Sequence, residues 1–374
     1  MPSSLIPEAA LGLSRRPLSE VFATVPDPRD PRGVRHRLAS VLVIAQAAVA
    51  GGARTLIGIS EWAADVDREA LTRLGIGVHE RLPSESTIRR TLAGLDGDDL
   101  DRRVATWMAT RVGQLAGRTV IAVDGKSLRG GTPAGGAMPH LLAALHHASG
   151  VVAGQRAVAT KSNEIPALPL LLADIDLAEV VVTADAMHCQ RGTAAYLTGR
   201  GGHYLLTVKG NQPTLRSQLK ALPWTQVPAV TTVSTTHGRR VRRTIRAVTA
   251  PEWLDFPGAA QVAQVRRTRT VHGRKRIEVV YVICSLDMIA APAATVATWL
   301  RGHWSIENAL HWVRDVVFDE DRHQLRTASG PHVMATLRNT AISLLRLAGH
   351  PHIAAGLRHH ARDSQRAVEL LATS

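Results

Sequence analysis

The sequence predicts an α/β protein: a mixed sheet carrying an all-β insertion and preceded by a helical N-terminal domain. Three observations support this. Apolar residues recur at helical spacing up to about residue 112. From Arg118 onward, short β-branched apolar runs bounded by Gly, Asp or Ser replace that pattern. From about residue 211 to 287, Val, Thr and Ile alternate with Arg over strand-length runs, which indicates a basic β-rich segment.

The N-terminal region is predicted to contain several short helices. One apolar helix spans Leu38 to Ala50, and another is expected around Ile57 to Leu74. In "LPSESTIRRTLAGL", Ser84 is a typical N-cap, which places Arg89 and Arg90 on the helix that follows. Short helices with an exposed basic one are compatible with a helix-turn-helix reader of DNA or with a bundle whose arginines are only solvated. The sequence leaves both open.

Five strand-like runs follow in the order "TVIAVDG", "HLLAALHHA", "VVAGQRAVA", "EVVVTADA" and "HYLLTVKG". A helical stretch, "NEIPALPLLLADI", separates the third run from the fourth, and "QRGTAAYLTGR" separates the fourth from the fifth. Three adjacent strands followed by helix, strand, helix and strand predict antiparallel pairing first and parallel pairing through crossovers afterwards.

The predicted elements divide the chain into five parts. These are a helical N-terminal region (1–112), the first part of an α/β core (113–210), a β insertion with one basic face (211–287), the second part of the core with the helix around Glu307 (288–348), and a C-terminal helix (349–374).

Charge and composition restrict the class of partner. The formal net charge is +14 and the sequence pI is about 11.0. Between Ala186 and Pro251 there is no Asp or Glu, so this stretch favours nucleic acid over a membrane surface or an acidic protein.

No apolar run reaches the roughly 20 residues of a membrane helix, and the first residues lack a signal-peptide core. Cys189 and Cys284 form no disulfide framework or zinc motif, so we expect a cytoplasmic, nucleoid-associated protein without a membrane partner.

Two of the predicted strands end in an acid, at Asp124 and at Asp185. Ligand sites in open α/β sheets gather at the carboxyl ends of strands, so either carboxylate is well placed for a metal. Either acid alone is better explained as a cap of the next helix or turn. Two such acids in one sheet favour the metal-binding interpretation.

The stretch "HWSIENALHWVRDV" places Glu307 between His303 and His311. Two histidines eight residues apart lie about 12 Å apart along a helix, which does not favour a metal site made by this helix alone. Its buried face is predicted to consist of Trp299, Ile306, Leu310, Val313 and Val317. Glu307 adjoins that face, so we expect it to be half-buried and to need a partner, either Arg314 or a metal shared with other acids.

Asp124, Asp185 and Glu307 together form an oxygen-donor set that suits a pair of hard divalent cations. Such a pair stabilises both the attacking and the leaving oxygen of a phosphodiester displacement. The basic insertion between Asp185 and Glu307 would hold the polyanion that carries the phosphodiester.

Five ordered blocks carry a family resemblance: "VPDPRDPRGVRHRL", "IAVDGKSLRG", "TADAMHCQ", "YLLTVKGNQP" and "HWSIENALHWVRDVVFDEDRHQLR". They cover nearly the whole chain and resemble the DDE transposases of bacterial insertion sequences, in the H-repeat-associated protein subgroup. The resemblance implies a ribonuclease-H-like core with Asp124, Asp185 and Glu307 as its catalytic, metal-binding triad.

The resemblance also implies two Mg²⁺ ions, for which Mn²⁺ is expected to substitute, nicking at element ends, and strand transfer by the freed 3′-hydroxyl. The expected partner is double-stranded DNA, bound by a homodimer, with no small-molecule substrate. Two other functions share most of these features: a catalytically silent DNA-binding relative, and a metal-dependent nuclease that never joins strands.

The expected DNA contacts are Lys126, Lys161, Lys209, Arg301, Arg314, Arg239, Arg240, Arg242, Arg243, Arg89 and Arg90, with Trp304 for base stacking. The wider family often shows Tyr-x2-Arg-x3-Glu-x6-Lys around its glutamate, where this chain has Leu300, His303 and Arg314 beside Glu307. Arg314 can replace the lysine as a phosphate contact. Leu300 and His303 cannot copy the tyrosine and the arginine.

Overall fold

The computed structural model describes residues 16–112, 117–158, 164–236, 239–272 and 274–372. The chain forms two compact units. The helical unit comprises Met1–Leu115, Gly125–Asn163 and Ile306–Ser374, and the sheet unit comprises Ala116–Asp124 and Glu164–Ser305. The N-terminal helices therefore share a unit with the segment that carries Glu307.

The helical unit is built around one long helix. Its elements, numbered in chain order across both units, are α1 (Leu18–Ala23), α2 (Leu38–Ala50), α3 (Leu56–Asp65), α4 (Arg68–Arg73), α5 (Glu85–Gly94), α6 (Gly97–Val112), β2 (His140–His146), β3 (Val152–Val158), α11 (Gly330–Leu347), α12 (Ile353–Ala361) and α13 (Ser364–Ala372). Helix α11 packs against α2, α5, α6 and β3. Among the described helices, α11 included, none is long and apolar enough to cross a membrane.

The N-terminal helices follow the sequence pattern closely. Helix α2 has the predicted bounds, and the hydroxyl of Ser84 caps α5 by accepting a hydrogen bond from the Thr87 amide at 3.4 Å. The single helix expected from Ile57 to Leu74 is wrong. The Asp67 carboxylate accepts a hydrogen bond from the Ala70 amide at 2.7 Å, so a second helix, α4, begins there.

The sheet unit contains most of the strands. Its elements are β1 (Val120–Ser127, whose last residues belong to the helical unit), α7 (Ala167–Leu171), β4 (Val181–Ala184), α8 (Arg191–Gly199), β5 (His203–Val208), α9 (Pro213–Lys220), β6 (Val230–Thr236), β7 (Arg239–Thr249), β8 (Gln261–Val271), β9 (Arg274–Cys284) and α10 (Ala293–His303).

The strand order is β3-β2-β1-β4-β5-β9-β8-β7-β6. Strands β1, β4 and β5 are parallel neighbours, whereas β2 and β3 pair antiparallel, as the element order predicted. Strand β9 pairs antiparallel with β5. The β3-β2-β1-β4-β5 order is that of a ribonuclease-H-like core, so the predicted fold class, a mixed α/β sheet with a helical N-terminal domain, is confirmed.

The segment between β5 and α10 extends the sheet. It begins with α9, so the β character expected from residue 211 starts only at Val230. One end of each of the strands β7, β8 and β9 packs against α10, in a buried cluster that includes Ile245, Ala247, Val282 and Val296. Apolar burial under α10 thus attaches the long strands to the sheet.

Candidate active site

Two carboxylates in the sheet unit directly follow the last paired residues of two adjacent strands. The strand predicted to end at Asp124 continues to Ser127, whereas β4 ends just before Asp185. Strands β1 and β4 are parallel, with Val123 opposite Ala184, so the next residues are Asp124 and Asp185. Both side chains are partly buried. The shared register therefore places the two predicted acids at the same level of neighbouring strands.

Asp185 is held in its charged form by near neighbours. Its Oδ1 accepts a hydrogen bond from the Ala186 amide at 2.6 Å and lies 3.2 Å from Lys209 Nζ. Burial alone would raise the pKa of Asp185, but the Ala186 hydrogen bond and the Lys209 ammonium outweigh it and lower that pKa. The carboxylate is therefore ionised at neutral pH.

His303 belongs to the sheet unit. Its Nδ1 lies 3.2 Å from Thr183 Oγ1, and its ring is buried. Burial lowers the pKa of His303 to about 4, so the imidazole is neutral at physiological pH.

Glu307 lies in the helical unit, at the start of a π-helical turn, Glu307–His311. The predicted buried stripe is confirmed at Ile306 and Leu310, but the Glu307 side chain is 59% exposed. Its partner is the imidazole of His311, at 3.2 Å between Oε2 and Nδ1. The hydrogen bond to His311 lowers the pKa of Glu307, and the charge of Lys126 adds to this.

Two of the predicted DNA contacts are buried in ionic interactions of the helical unit. Arg314 is fully buried and donates to Glu320 and to Gln155. Lys126 is also buried, with Nζ 2.5 Å from Asp315 Oδ1. These positions argue against Arg314 or Lys126 contacting a DNA phosphate in this conformation. Arg314 is also not the partner of Glu307, which was one of the two alternatives left open by the sequence.

Most of the other predicted contacts reach solvent. The exposed ones are Lys209, Arg301, Arg239, Arg240, Arg242, Arg89, Arg90 and Trp304, and Arg243 is partly exposed. Arg89 forms an ion pair with Glu85 at 3.2 Å on the surface of α5. Lys161 lies outside the described residues.

The basic extension does not have one basic face, as the sequence had suggested. In the register of β7 with β8, Arg243 lies opposite Arg267, whereas Arg242 lies opposite Thr268. Neighbouring residues of a strand point to opposite faces, so Arg239 and Arg243 lie on one side of the sheet and Arg240 and Arg242 on the other. The prediction of one basic face is therefore wrong, and both faces carry arginine.

A group of arginines that sequence reasoning missed lies on the same face as Arg243. Strands β8 and β9 add Arg267, Arg269, Arg274 and Arg276. Burial lowers the pKa of Arg243, and the nearby charges of Arg267 and Arg301 lower it further, so three guanidinium groups lie close together here. Glu278 is a weak counterion, 3.9 Å from Arg267. The available signal was the spacing of the arginines, which are two residues apart on β8 and on β9 and four apart between Arg239 and Arg243 on β7.

Two family models match the chain. The one described as "Transposase DDE domain" matches residues 115–344, which include Asp124, Asp185 and Glu307. The chain belongs to this transposase family. A second model, described as "DDE_Tnp_1-associated", matches residues 19–108, the N-terminal helices.

Curated transposase relatives match over nearly the same length. "Putative transposase YncI" of Escherichia coli O157:H7 is 30% identical over 354 residues, 89% of this chain and 88% of the relative. "H repeat-associated putative transposase YhhI" of Escherichia coli (strain K12) is 30% identical over 346 residues, 88% of this chain and 90% of the relative. Among solved structures, the cryo-EM structure of the piggyBac transposase synaptic complex with hairpin DNA aligns at 11% identity, a TM-score of 0.43, and coverage of 97% of this chain and 79% of that chain. The predicted H-repeat-associated subgroup is confirmed by the named relatives.

Proposed function

We propose that this transposase-family chain nicks DNA at the ends of its element in a metal-dependent reaction and transfers the freed strand to a target. The observation that carries the proposal is the shared register of β1 and β4, in which Asp124 and Asp185 follow paired residues of neighbouring strands. We assign Glu307 as the third member because it is an exposed, ionised carboxylate within the matched family region.

The donor set fits a hard divalent cation. Asp124, Asp185 and Glu307 offer carboxylate oxygens, which Mg²⁺ prefers, and the lowered pKa of Asp185 and of Glu307 keeps both ligands charged at neutral pH. We assign two Mg²⁺ ions to these residues and expect Mn²⁺ to substitute. Bound there, the ions would stabilise the attacking and leaving oxygens of the phosphodiester.

The reaction needs two phosphoryl transfers. In nicking, a water oxygen bonds to phosphorus and the P–O3′ bond breaks, which leaves a 3′-hydroxyl. In strand transfer, that hydroxyl attacks a target phosphodiester and displaces its 3′ oxygen. Lys209 supports this chemistry by keeping Asp185 charged, and the neutral His303 adds no competing positive charge beside it.

We assign DNA binding to the exposed cations of the sheet extension. Arg239, Arg240, Arg242 and Arg243, with Arg301 and Lys209, present positive charge to solvent. Phosphate contacts of this kind give affinity without sequence information. Arg89 and Arg90 on α5 are further proposed contacts, and Trp304, 59% exposed, is a proposed base-stacking residue. A homodimer is the simplest assembly that brings two element ends together.

A nicking assay on labelled DNA from the element's own flanks tests the triad. In Mg²⁺, the wild-type protein should release a nicked strand, and Asp124→Ala, Asp185→Ala and Glu307→Ala should each lower the rate at least about 100-fold. Asp255→Ala is the control, because that carboxylate is 88% exposed and pairs with Arg191 on the surface of the sheet unit. Wild-type nicking by Asp124→Ala and Glu307→Ala would show that the site assignment is wrong.

The same assay separates the two other functions. A catalytically silent relative would bind the labelled DNA without cutting it, and the Asp185→Ala substitution would not change that binding. A nuclease without strand transfer would cut the DNA but give no joined product when a target plasmid is added. A joined product that depends on the 3′-hydroxyl supports the proposed transposase.

A further inference from the structure

The segment that carries Glu307 is not an ordinary α-helix. After α10 the chain forms two π-helical turns, Glu307–His311 and Val313–Val317. π-Helical turns are rare, occur mostly as single turns inside α-helices, and are frequently found at functional sites. The position of the Glu307 carboxylate therefore depends on what holds these turns in place.

One contact that holds them is a buried carboxylate shared by two arginines. Arg314, in the second π-helical turn, donates from Nε to Glu320 Oε2 at 2.9 Å. Arg338, on α11, donates from Nη1 to Glu320 Oε1 at 2.7 Å. The side chains of Arg314, Glu320 and Arg338 are 0%, 4% and 2% exposed. Glu320 thus connects the π-helical segment to the long helix.

A second contact acts on the turn that begins with Glu307 itself. Arg346, also on α11, donates to the carbonyl oxygen of Ala309 within that turn and to the carbonyl oxygen of Gly150. Burial lowers the pKa of Arg346 to about 10, so the group remains charged at neutral pH. Two arginines of α11 therefore hold the π-helical segment. Arg346 binds the backbone carbonyl of Ala309 in the first turn, and Arg338 is connected to Arg314 in the second turn through Glu320.

The backbone around Glu320 is itself closely packed. Asp319 has a positive φ of 56°, and the chain then makes a 3-10 turn over Glu320–Arg322. This turn lies against Gly130, where an added Cβ would come within 2.7 Å of the Glu320 carbonyl oxygen. The position of Glu320 is thus determined by backbone contacts, and a change in its side chain should be transmitted to Arg314.

We propose that Glu320 is a positioning residue for the Glu307 carboxylate. It holds Arg314, seven residues after Glu307, against α11 and so fixes the π-helical segment in the one arrangement that presents Glu307 to a divalent cation. The proposal rests on the proposed function, in which Glu307 is a metal ligand. Residues that orient a ligand typically change metal affinity 10–100-fold when they are replaced.

The test is a double-mutant cycle on Mn²⁺ affinity, measured by calorimetry on the full chain at a temperature where every variant is folded. Glu320→Gln should weaken Mn²⁺ binding at least about tenfold and lower kcat for nicking, with KM for DNA nearly unchanged. Glu307→Gln should weaken binding by as much or more. The double variant should bind Mn²⁺ no more weakly than Glu307→Gln alone. Once the Glu307 carboxylate is absent, a residue that only positions it no longer affects Mn²⁺ affinity.

The controls separate positioning from general destabilisation. Leu42→Ala opens a cavity in α2 of the same unit, where Leu42 is fully buried, and should lower Tm without changing Mn²⁺ affinity. If Glu320→Gln does not fold, Glu320→Asp retains the charge but shortens the side chain, and a loss of Mn²⁺ affinity is expected there as well.

The possible failures are distinguishable. Unchanged Mn²⁺ affinity in Glu307→Gln would overturn the proposed metal ligand and this proposal with it. Lost affinity in Glu307→Gln with wild-type affinity in folded Glu320→Gln or Glu320→Asp would overturn only the positioning role. Additive losses in the double variant would also contradict it, because independent effects add.

Discussion

The ammonium of Lys209 lies 3.2 Å from the carboxylate of Asp185, directly beyond the end of β4. Lys209 follows β5, the parallel neighbour of β4, so the pair joins the carboxyl ends of two adjacent strands. The order of the strands in the sheet therefore accounts for the proximity of Lys209 to Asp185. The pair is about half exposed, so its contribution to stability is small, and its main effect is on the charge of Asp185.

Replacing Lys209 should change the titration of Asp185. In Lys209→Met the ammonium is removed, so the pKa of Asp185 should rise. As the pH is lowered, Asp185 should then be protonated earlier, and Mn²⁺ binding should begin to weaken at a higher pH than in the wild type. Carbon-detected NMR of the Asp185 carboxyl reports the shift. Lys220→Met, which removes an exposed lysine from α9, should leave the titration unchanged, and an unmoved pKa in Lys209→Met would contradict the prediction.

Removing the carboxylate of Glu320 should destabilise the fold strongly. Glu320→Leu leaves Arg314 and Arg338 buried without their shared acceptor, which typically costs about 3–5 kcal/mol in the free energy of unfolding. Chemical denaturation measures the loss. The triple variant Arg314→Met, Glu320→Leu and Arg338→Met should recover most of it, because an apolar replacement leaves no charge buried.

Glu320 should also make stability depend on pH. Desolvation opposes its ionisation, but Arg314 and Arg338 outweigh that effect and lower the pKa of Glu320 from 4.5 to about 2. The unfolded chain binds the proton first as pH falls, so this contribution is complete above pH 4.5 and is lost between 4.5 and about 2. Acid denaturation of Glu320→Gln should lack this component. If the acid-denaturation curve of Glu320→Gln ran parallel to that of the wild type, a contribution from the ionisation of Glu320 would be excluded.

The buried His303 should give a pH dependence in a different range. Its pKa is about 4 in the fold and 6.5 as a free side chain, so between these values the unfolded chain binds a proton that the folded chain does not. Stability should therefore fall as pH drops from 6.5 to 4, by up to about 1.4 kcal/mol per pH unit. His303→Asn should reduce that slope. His79→Asn, at an exposed position, should retain it.

Gly130 should not tolerate a side chain. A Cβ there would lie 2.4 Å from the His323 carbonyl oxygen, and backbone cannot move aside as a flexible side chain does. Gly130→Ala should reduce the free energy of unfolding by about 1–3 kcal/mol. Gly192→Ala is the matched control, because nothing lies within 4 Å of its Cβ position in α8 and alanine favours a helix.

The arginine group of the sheet extension should account for part of the salt dependence of DNA binding. Arg243→Gln with Arg267→Gln should weaken binding and reduce the slope of log K against log salt by about 0.9 for each phosphate that is no longer neutralised. Arg322→Gln is the control, since this side chain is 86% exposed and lies in the other unit. An equal slope change in both variants would argue against a specific role for Arg243 and Arg267.

Local signals predicted the elements well, and long-range partners were the part that sequence could not supply. Helix α2 and the Ser84 cap follow from apolar spacing and from side-chain chemistry that a short window contains. The burial of Arg314 follows from Glu320, which lies beyond a left-handed turn at Asp319, and from Gln155, 159 positions earlier in sequence. A window around Glu307 contains no sign of either contact.

The register of β7 follows from its apolar residues, because its arginines occupy both faces. A slip of one residue would still leave arginine on each side of the sheet, so charge does not oppose it. Such a slip would, however, expose Ile245 and Ala247, which lie buried beneath α10. Substitutions among the arginines can therefore change the charge pattern of the extension while the strand alignment persists, which leaves the DNA-facing surface free to diverge between related elements.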